Sequence, residues 1–279
     1  MNIAEFTAAI AAVSLAAGFV GSLTGLGGGV VIVPVLTILF KVDIHYAIGA
    51  SLVSVIATSS GAAAAYVREG WSNIRVGMFL EIATCSGALC GAFLAAVLKV
   101  RAIAIIFGIV LLWSAWTSAR MKKEDPQTEP PSDRISRFLR MGGTYPYRGG
   151  VRHYNVRNVP GGFLVMLIAG ALSGLLGIGS GALKVIAMDR VMRLPFKVST
   201  TTSNFMIGVT AAASAGVYLN RGYIDPGLSM PVMLGVLGGS LAGARLLTGA
   251  RTPVLRWVFD AVILALGVEM LYSGARGTL

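Results

Sequence analysis

The feature that most constrains this chain is a series of long apolar stretches spread from one end to the other. Crossing the hydrocarbon core of a bilayer takes about 20 predominantly apolar residues. In the first half such stretches run from Phe6 to Phe40, Tyr46 to Tyr66, Gly77 to Leu98 and Ile103 to Ser118. In the second half they run from Gly161 to Met192, Val198 to Leu219, Leu228 to Leu247 and Val254 to Leu271. A soluble domain on a single anchor has no use for so many. The expected class is an all-α integral membrane protein. Charged residues make up only 13% of the chain, against about 25% in soluble domains. The net charge of +11 therefore reads as basic loops that set topology, not as a nucleic-acid surface. The first residues, MNIAEF, carry no basic region and no small-residue cleavage site, so no signal peptide is expected.

The two sets of stretches match at one ungapped offset of 152 residues. Thr24–Gly29 (TGLGGG) falls on Leu176–Gly181 (LGIGSG), Gly18 on Gly170, Ser51 on Ser203, Tyr66 on Tyr218, and Gly87 and Gly91 on Gly239 and Gly243. Glycines that recur where geometry demands them indicate a duplicated fold. The expected organisation is a membrane repeat over residues 1–119, a basic linker over 120–160 and a second membrane repeat over 161–279. Within the linker, RISRFLR sets Ile135, Phe138 and Leu139 on one face beside Arg134, Arg137 and Arg140. That pattern suits a short helix on the membrane surface, or a solvated linker helix.

The first stretch of each half is broken by glycines. As one helix the 35 residues of Phe6–Phe40 would run about 52 Å, too long for a core of about 30 Å. Folded back, the stretch gives two arms that each reach partway in. Lys184 and Arg245 lie within apolar stretches; the remaining Lys and Arg discriminate between crossing and folding back. If the broken stretches cross, the basic loops fall on opposite sides. If they are re-entrant hairpins, sixteen cations share the linker's side and five (Lys41, Lys99, Arg101, Arg221, Arg276) the other. The positive-inside rule favours hairpins, a cytoplasmic linker and outside termini. Each half then crosses three times, and an odd number inverts the second repeat relative to the first.

Irregular backbone at membrane depth is tolerated where it lines a cavity or is buried in protein. A helix restarts after each tip, near Gly29 and Gly181, and its free N–H groups and positive dipole end suit an anion. The candidate substrate-binding residues are Gly27, Gly28 and Gly29 in the first tip, and Gly179, Ser180 and Gly181 in the second. The alternative is glycine-mediated helix packing. Lys184 adds a charge where the first half has Ile32; it either faces the ligand, or snorkels or is paired with an acid. The run STTTSN (Ser199–Asn204) contributes Thr201, Ser203 and Asn204, with Ser51 the counterpart of Ser203. Such side chains hold ligand oxygens or pack helices. Of the acids within apolar stretches, Glu81, Asp260 and Glu269, Glu81 is the first candidate for proton coupling. Cys85 and Cys90 read as small packing residues, and His45 as an interfacial histidine. There is no nucleophile–base motif, metal cluster or Walker sequence, so no enzyme activity, cofactor or metal is expected.

The stretches GSLTGLGGGVVIVP (Gly21–Pro34), SGLLGIGSGALKV (Ser173–Val185) and LPFKVSTTTSNFMIGVTAAASAGVYLNRGYIDP (Leu194–Pro226) resemble the sulfite exporter TauE/SafE family, also called toluene sulfonate uptake permeases. The resemblance covers nearly the whole chain except the linker. It implies a multi-pass carrier of the bacterial or archaeal cell (inner) membrane. The fold expected from the broken stretches and the charge distribution is two inverted repeats, each a re-entrant, broken helical hairpin plus three transmembrane helices. The resemblance also implies small, often sulfur-containing anions such as sulfite, sulfonates or sulfoacetate. Two departures stand out: Ser180 replaces a tip glycine, and Ile186–Asp189 lacks a proline equivalent to Pro34. The expected function is alternating-access transport of such an oxyanion, with proton coupling through Glu81. The alternatives are an anion channel, a non-transporting membrane subunit and an intramembrane enzyme. The expected partners are the small anion and the lipid bilayer.

Overall fold

The computed structural model describes residues 2–22, 29–68, 71–120, 133–147, 150–247 and 252–277. The first half forms α1 (Ile3–Ser22), α2 (Gly29–Leu39), α3 (Ile44–Arg68), α4 (Ile74–Ala95) and α5 (Val100–Arg120). The linker carries α6 (Arg134–Phe138) and a hairpin of β1 (Gly143–Tyr147) and β2 (Gly150–Tyr154). The second half forms α7 (Val159–Leu176), α8 (Gly181–Ile186) with a π-helical turn over Ala187–Val191, then α9 (Phe196–Asn220), α10 (Pro226–Leu247) and α11 (Thr252–Arg276). Among the described residues, three helical stretches are long and apolar enough to span a bilayer unaided: Ile74–Ala95, Val100–Thr117 and Val159–Leu176. The 25 residues of α9 give about 37 Å of helix. Its hydroxyl-rich start lowers its hydropathy, and those hydroxyls lie inside the protein.

Both broken stretches fold back. Phe6 and Phe40 meet edge to face at 5.8 Å between ring centroids. In the second half the backbone closes one residue from the equivalent place: Arg157 N donates to Met192 O at 3.0 Å. The arms are unequal, which differs from two arms each reaching partway. With 20 and 18 residues, α1 and α7 are about 30 and 27 Å long, the whole thickness of a hydrocarbon core. The 11 residues of α2 give about 16 Å. The return arms therefore begin about halfway along the long ones.

The halves interlock by exchanging partners. α1 packs along α10, and α7 along α4. A side chain at Gly18 would run into the Val236 carbonyl, and one at Gly170 into the Thr84 carbonyl. Likewise Gly87 abuts the Leu167 carbonyl, and Gly239 the Leu15 carbonyl. In each pair the second contact is the first shifted by 152 residues, with the halves swapped. The repeat seen in the sequence is thus a repeat of helix contacts, and its glycines sit where the backbones touch.

The linker is more than a polar tether, and the β-hairpin departs from an all-helical expectation. GTYPY and GVRHY pair antiparallel, with Tyr145 opposite Arg152. Tyr145 and Tyr154 are buried in a cluster with Met141, Val76 and Leu80 of α4, and Met188 and Met192. Asn73 Nδ2 donates to Met141 O at 2.9 Å and to Tyr154 Oη at 2.7 Å, tying the hairpin to the α3–α4 connection. Burial pushes the Tyr154 phenol up to about 12, against the opposing pull of the Asn73 hydrogen bond. On α6, Phe138 is 86% exposed, as a helix facing the membrane surface would leave it.

Candidate substrate site at the paired hairpin tips

The second tip is a tight left-handed turn. Gly177, Gly179 and Ser180 all have positive φ (68°, 70° and 45°). Glycine takes this conformation freely, whereas a side chain costs about 1–2 kcal/mol. Ser180 therefore stands where backbone geometry favours glycine, and Lys184 N donates to its carbonyl at 3.1 Å as α8 starts. The lost proline of the second return arm coincides with the π-helical turn over Ala187–Val191. In the first tip, Gly27 and Gly28 lie outside the described residues.

The two tips meet. A Cβ on Gly29 would lie 3.1 Å from the Gly177 carbonyl oxygen. Ser51 Oγ bridges them, donating to Gly177 O at 2.7 Å and lying 3.4 Å from Gly29 O. Its counterpart Ser203 donates to Gly181 O at 3.2 Å. Ser51 and Ser203 are thus matched staples from α3 and α9 onto the starts of α2 and α8. Beside them Val30, Ile178, Ser180 and Gly181 face Leu111 and Ser114 of α5 across a narrow cleft. Ser180 Oγ is buried there, with no hydrogen-bond partner among the described residues.

The other sequence candidates divide. Thr201 Oγ1 donates to Trp71 O at 2.9 Å, at the end of the protein that holds the linker. Asn204 is half-buried one residue beyond Ser203. The hydroxyls of STTTSN serve largely to satisfy carbonyls, as buried hydroxyls in helices commonly do. Lys184 is completely buried, and its Nζ donates to Met206 O at 3.2 Å and Thr210 Oγ1 at 2.5 Å. Thr210 Oγ1 donates in turn to Glu81 Oε1 at 2.6 Å. Lys184 and Glu81, whose pairing was one of several open to the acids of the apolar stretches, are joined through one hydroxyl. Thr210 had no sequence signal beyond being a threonine in an apolar helix. The side chains of Arg245 and Asp260 lie outside the described residues.

A related contact sits at each end of the bundle. Lys197 Nζ sits 3.5 Å over the Trp71 ring. At the opposite end His45 stacks on Tyr223 at 4.9 Å. His45 and Tyr223 are the 152-residue counterparts of Lys197 and Trp71. His45 is thus more than an interfacial residue: it also contacts Asp43 Oδ1 at 2.9 Å and Ala95 O at 3.2 Å. The linker end is tied further, by Thr201 to Trp71 O and by Asn73 N to Thr202 Oγ1 at 3.0 Å.

The family profile described as Sulfite exporter TauE/SafE matches residues 10–270. The chain belongs to this family. Its similarity to the "Probable membrane transporter protein YunE" of Bacillus subtilis is 28% identity, over 93% of this chain and 95% of that one. A "Probable membrane transporter protein" of Xylella fastidiosa is 22% identical over 91% of each chain. One of Methanocaldococcus jannaschii is 24% identical, again over 91% of each. No solved structure matches. A TauE/SafE member with this helical architecture is a multi-pass membrane transporter.

Proposed function

We propose that this transporter is a secondary carrier of a small sulfur-containing oxyanion (sulfite, a sulfonate or sulfoacetate) that works by alternating access with proton coupling through Glu81. The observation that carries the reading is the meeting of two re-entrant tips, Gly29 against Gly177, about halfway along the long arms. Backbone N–H groups at Gly27, Gly28 and Gly29 and at Gly179, Ser180 and Gly181 hold the oxyanion, and the dipole of α2 favours its charge. The Ser180 hydroxyl, Lys184 and Asn204 supply further donors. Ser51, Ser203 and Thr201 fix the walls. The matched contacts Lys197–Trp71 and His45–Tyr223 fit two closures that open in alternation. The exchange of helix contacts between halves supports inverted repeats. The basic linker end faces the cytoplasm and the termini face outside, by the positive-inside rule.

The test is thermal-shift binding to the purified protein with sulfite, sulfoacetate and an aromatic sulfonate, beside chloride and phosphate, followed by flux into liposomes. Lys184→Met is expected to weaken binding at least about tenfold, as loss of a charged hydrogen bond does. Asn204→Leu is expected to weaken it less. Saturable, gradient-coupled flux is the carrier result. Unsaturable flux identifies a channel, and binding of none of the sulfur anions overturns the substrate class.

A further inference from the structure

The cluster around Lys184 belongs to one half of the pseudo-symmetry only. Its members Glu81, Lys184 and Thr210 correspond, at 152 residues, to Met233, Ile32 and Thr58. A duplicated fold that is stable with isoleucine and methionine at those positions has no architectural need for an ion pair there. Lys184 is fully buried and Glu81 is 6% exposed, and buried charges in a membrane protein are retained for function. Glu81 Oε1 accepts from Thr210 at 2.6 Å and from Cys85 Sγ at 3.3 Å. Glu81 Oε2 is buried with no hydrogen-bond partner among the described residues. The cluster therefore presents a cation with two hydrogen-bond partners and a half-engaged carboxylate. Thr210 Oγ1 also lies 2.8 Å from Met206 O, a second acceptor for its single proton.

We propose that this cluster is a charge-exchange site: an anion arriving at the second tip replaces Glu81 as the counter-ion of Lys184, and Glu81 takes up one proton on Oε2 as it is released. The proposal deepens the anion-carrier reading and rests on it. The physical requirement is neutrality. Without substrate the buried pair sums to zero. With a monoanion beside Lys184, an ionised Glu81 would leave an uncompensated negative charge in a medium of low dielectric that strongly disfavours it. One proton per negative charge delivered to Lys184 restores the balance. The proton comes from water and forms one O–H bond on Oε2. Lys184 keeps its three N–H bonds, and no electron moves. Thr210 turns its hydroxyl from Glu81 to Met206 O, so it acts as the positioning residue of the exchange. Anion and proton then cross together, and a monoanion crosses without net charge.

The titratable groups facing Glu81 are few. Cys85 lies on the same helix as Glu81, its thiol donating to Glu81 Oε1, and Lys184 lies on α8. α7, packed along α4, carries no titratable side chain. On α9, Lys197 is over Trp71, and Tyr218 donates to Gly174 O at 3.2 Å.

The experiment uses the full chain in detergent with methanesulfonate, a monoanion at all working pH. Calorimetric titration in two buffers of different ionisation enthalpy counts the protons bound. Wild type is expected to take up one proton per methanesulfonate, with affinity falling about tenfold per pH unit once free Glu81 is ionised. Glu81→Gln should bind with no uptake and a flat pH profile, and Thr210→Val should lose the coupling while keeping both charges. A second arm needs no anion. Infrared spectra should lack a protonated-carboxyl band assignable to Glu81 in wild type and gain one in Lys184→Met that vanishes in Lys184→Met/Glu81→Gln. Methanesulfonate binding without proton uptake overturns the exchange and leaves the anion reading intact. Absence of the Lys184→Met band overturns the pairing on which the exchange depends. Failure of wild type to bind methanesulfonate overturns the anion reading for sulfonates and, with it, the exchange.

Discussion

A double-mutant cycle on Lys184 and Glu81 examines whether the two act as one unit in the folded protein. Their charges are no more than about 5 Å apart through the Thr210 hydroxyl. At an effective dielectric near 20, that separation corresponds to about 3 kcal/mol of attraction. Glu81→Gln leaves the Lys184 ammonium buried with only neutral partners, and breaking a buried pair in this way typically costs about 3–5 kcal/mol. At about 2–4 °C per kcal/mol for a chain of this size, the thermal midpoint should fall by roughly 6–20 °C. Lys184→Met should lower it in the same direction. The double variant Lys184→Met/Glu81→Gln removes both charges, and replacing a whole buried pair is often neutral or stabilising. It should therefore melt higher than either single variant, with a coupling energy of about 3 kcal/mol. Differential scanning fluorimetry in one detergent, at one pH and scan rate, provides the midpoints. Additive single losses, within about 0.5 kcal/mol, would refute the idea that Thr210 transmits the pairing.

Three further outcomes follow from the geometry. In a version lacking Cys85 and Cys90, cysteines at Asn2 and Gly277 should label from outside intact cells, while one at Gln127 should not; the opposite pattern removes the proposed orientation. Ser180→Gly should hold or raise the thermal midpoint, because φ of 45° costs a serine about 1–2 kcal/mol that glycine avoids, yet it should weaken sulfite binding; a clear drop in midpoint contradicts the strain argument. The raised Tyr154 phenol favours the docked linker fully below the ordinary value of 10.0, and that contribution is lost as pH climbs through about 12. Fluorescence of Trp71, whose ring lies 5.9 Å from Tyr145, should report undocking in that window, and an unchanged transition in Tyr154→Phe would argue against it.

Much of this protein was legible without coordinates because membrane physics leaves few options. Apolar stretches of bilayer length dictate helices, since lipid offers backbone groups no other partners. The excess length of Phe6–Phe40, with the distribution of Lys and Arg, implied hairpins that the Phe6–Phe40 and Arg157–Met192 contacts bear out. The 152-residue offset revealed the duplication because glycines at Gly18 and Gly170 mark the places where helix backbones touch. The β-hairpin of the linker had a sequence signal only in its two tyrosine-bearing stretches, Gly143–Tyr147 and Gly150–Tyr154, a pattern masked by the surrounding charge. Side-chain partnership was the part the sequence could not determine. Lys184 and Glu81 stand over a hundred positions apart, and hydrogen-bond reach is a matter of a few ångströms set by how α4, α8 and α9 pack. Nor does a hydroxyl in a helix announce whether it will hold a ligand or a carbonyl. Ser51 and Ser203 became staples on the tips, and Thr201 a tie to Trp71, because the tertiary fold sets an acceptor within reach of each of these three hydroxyls in a dry interior.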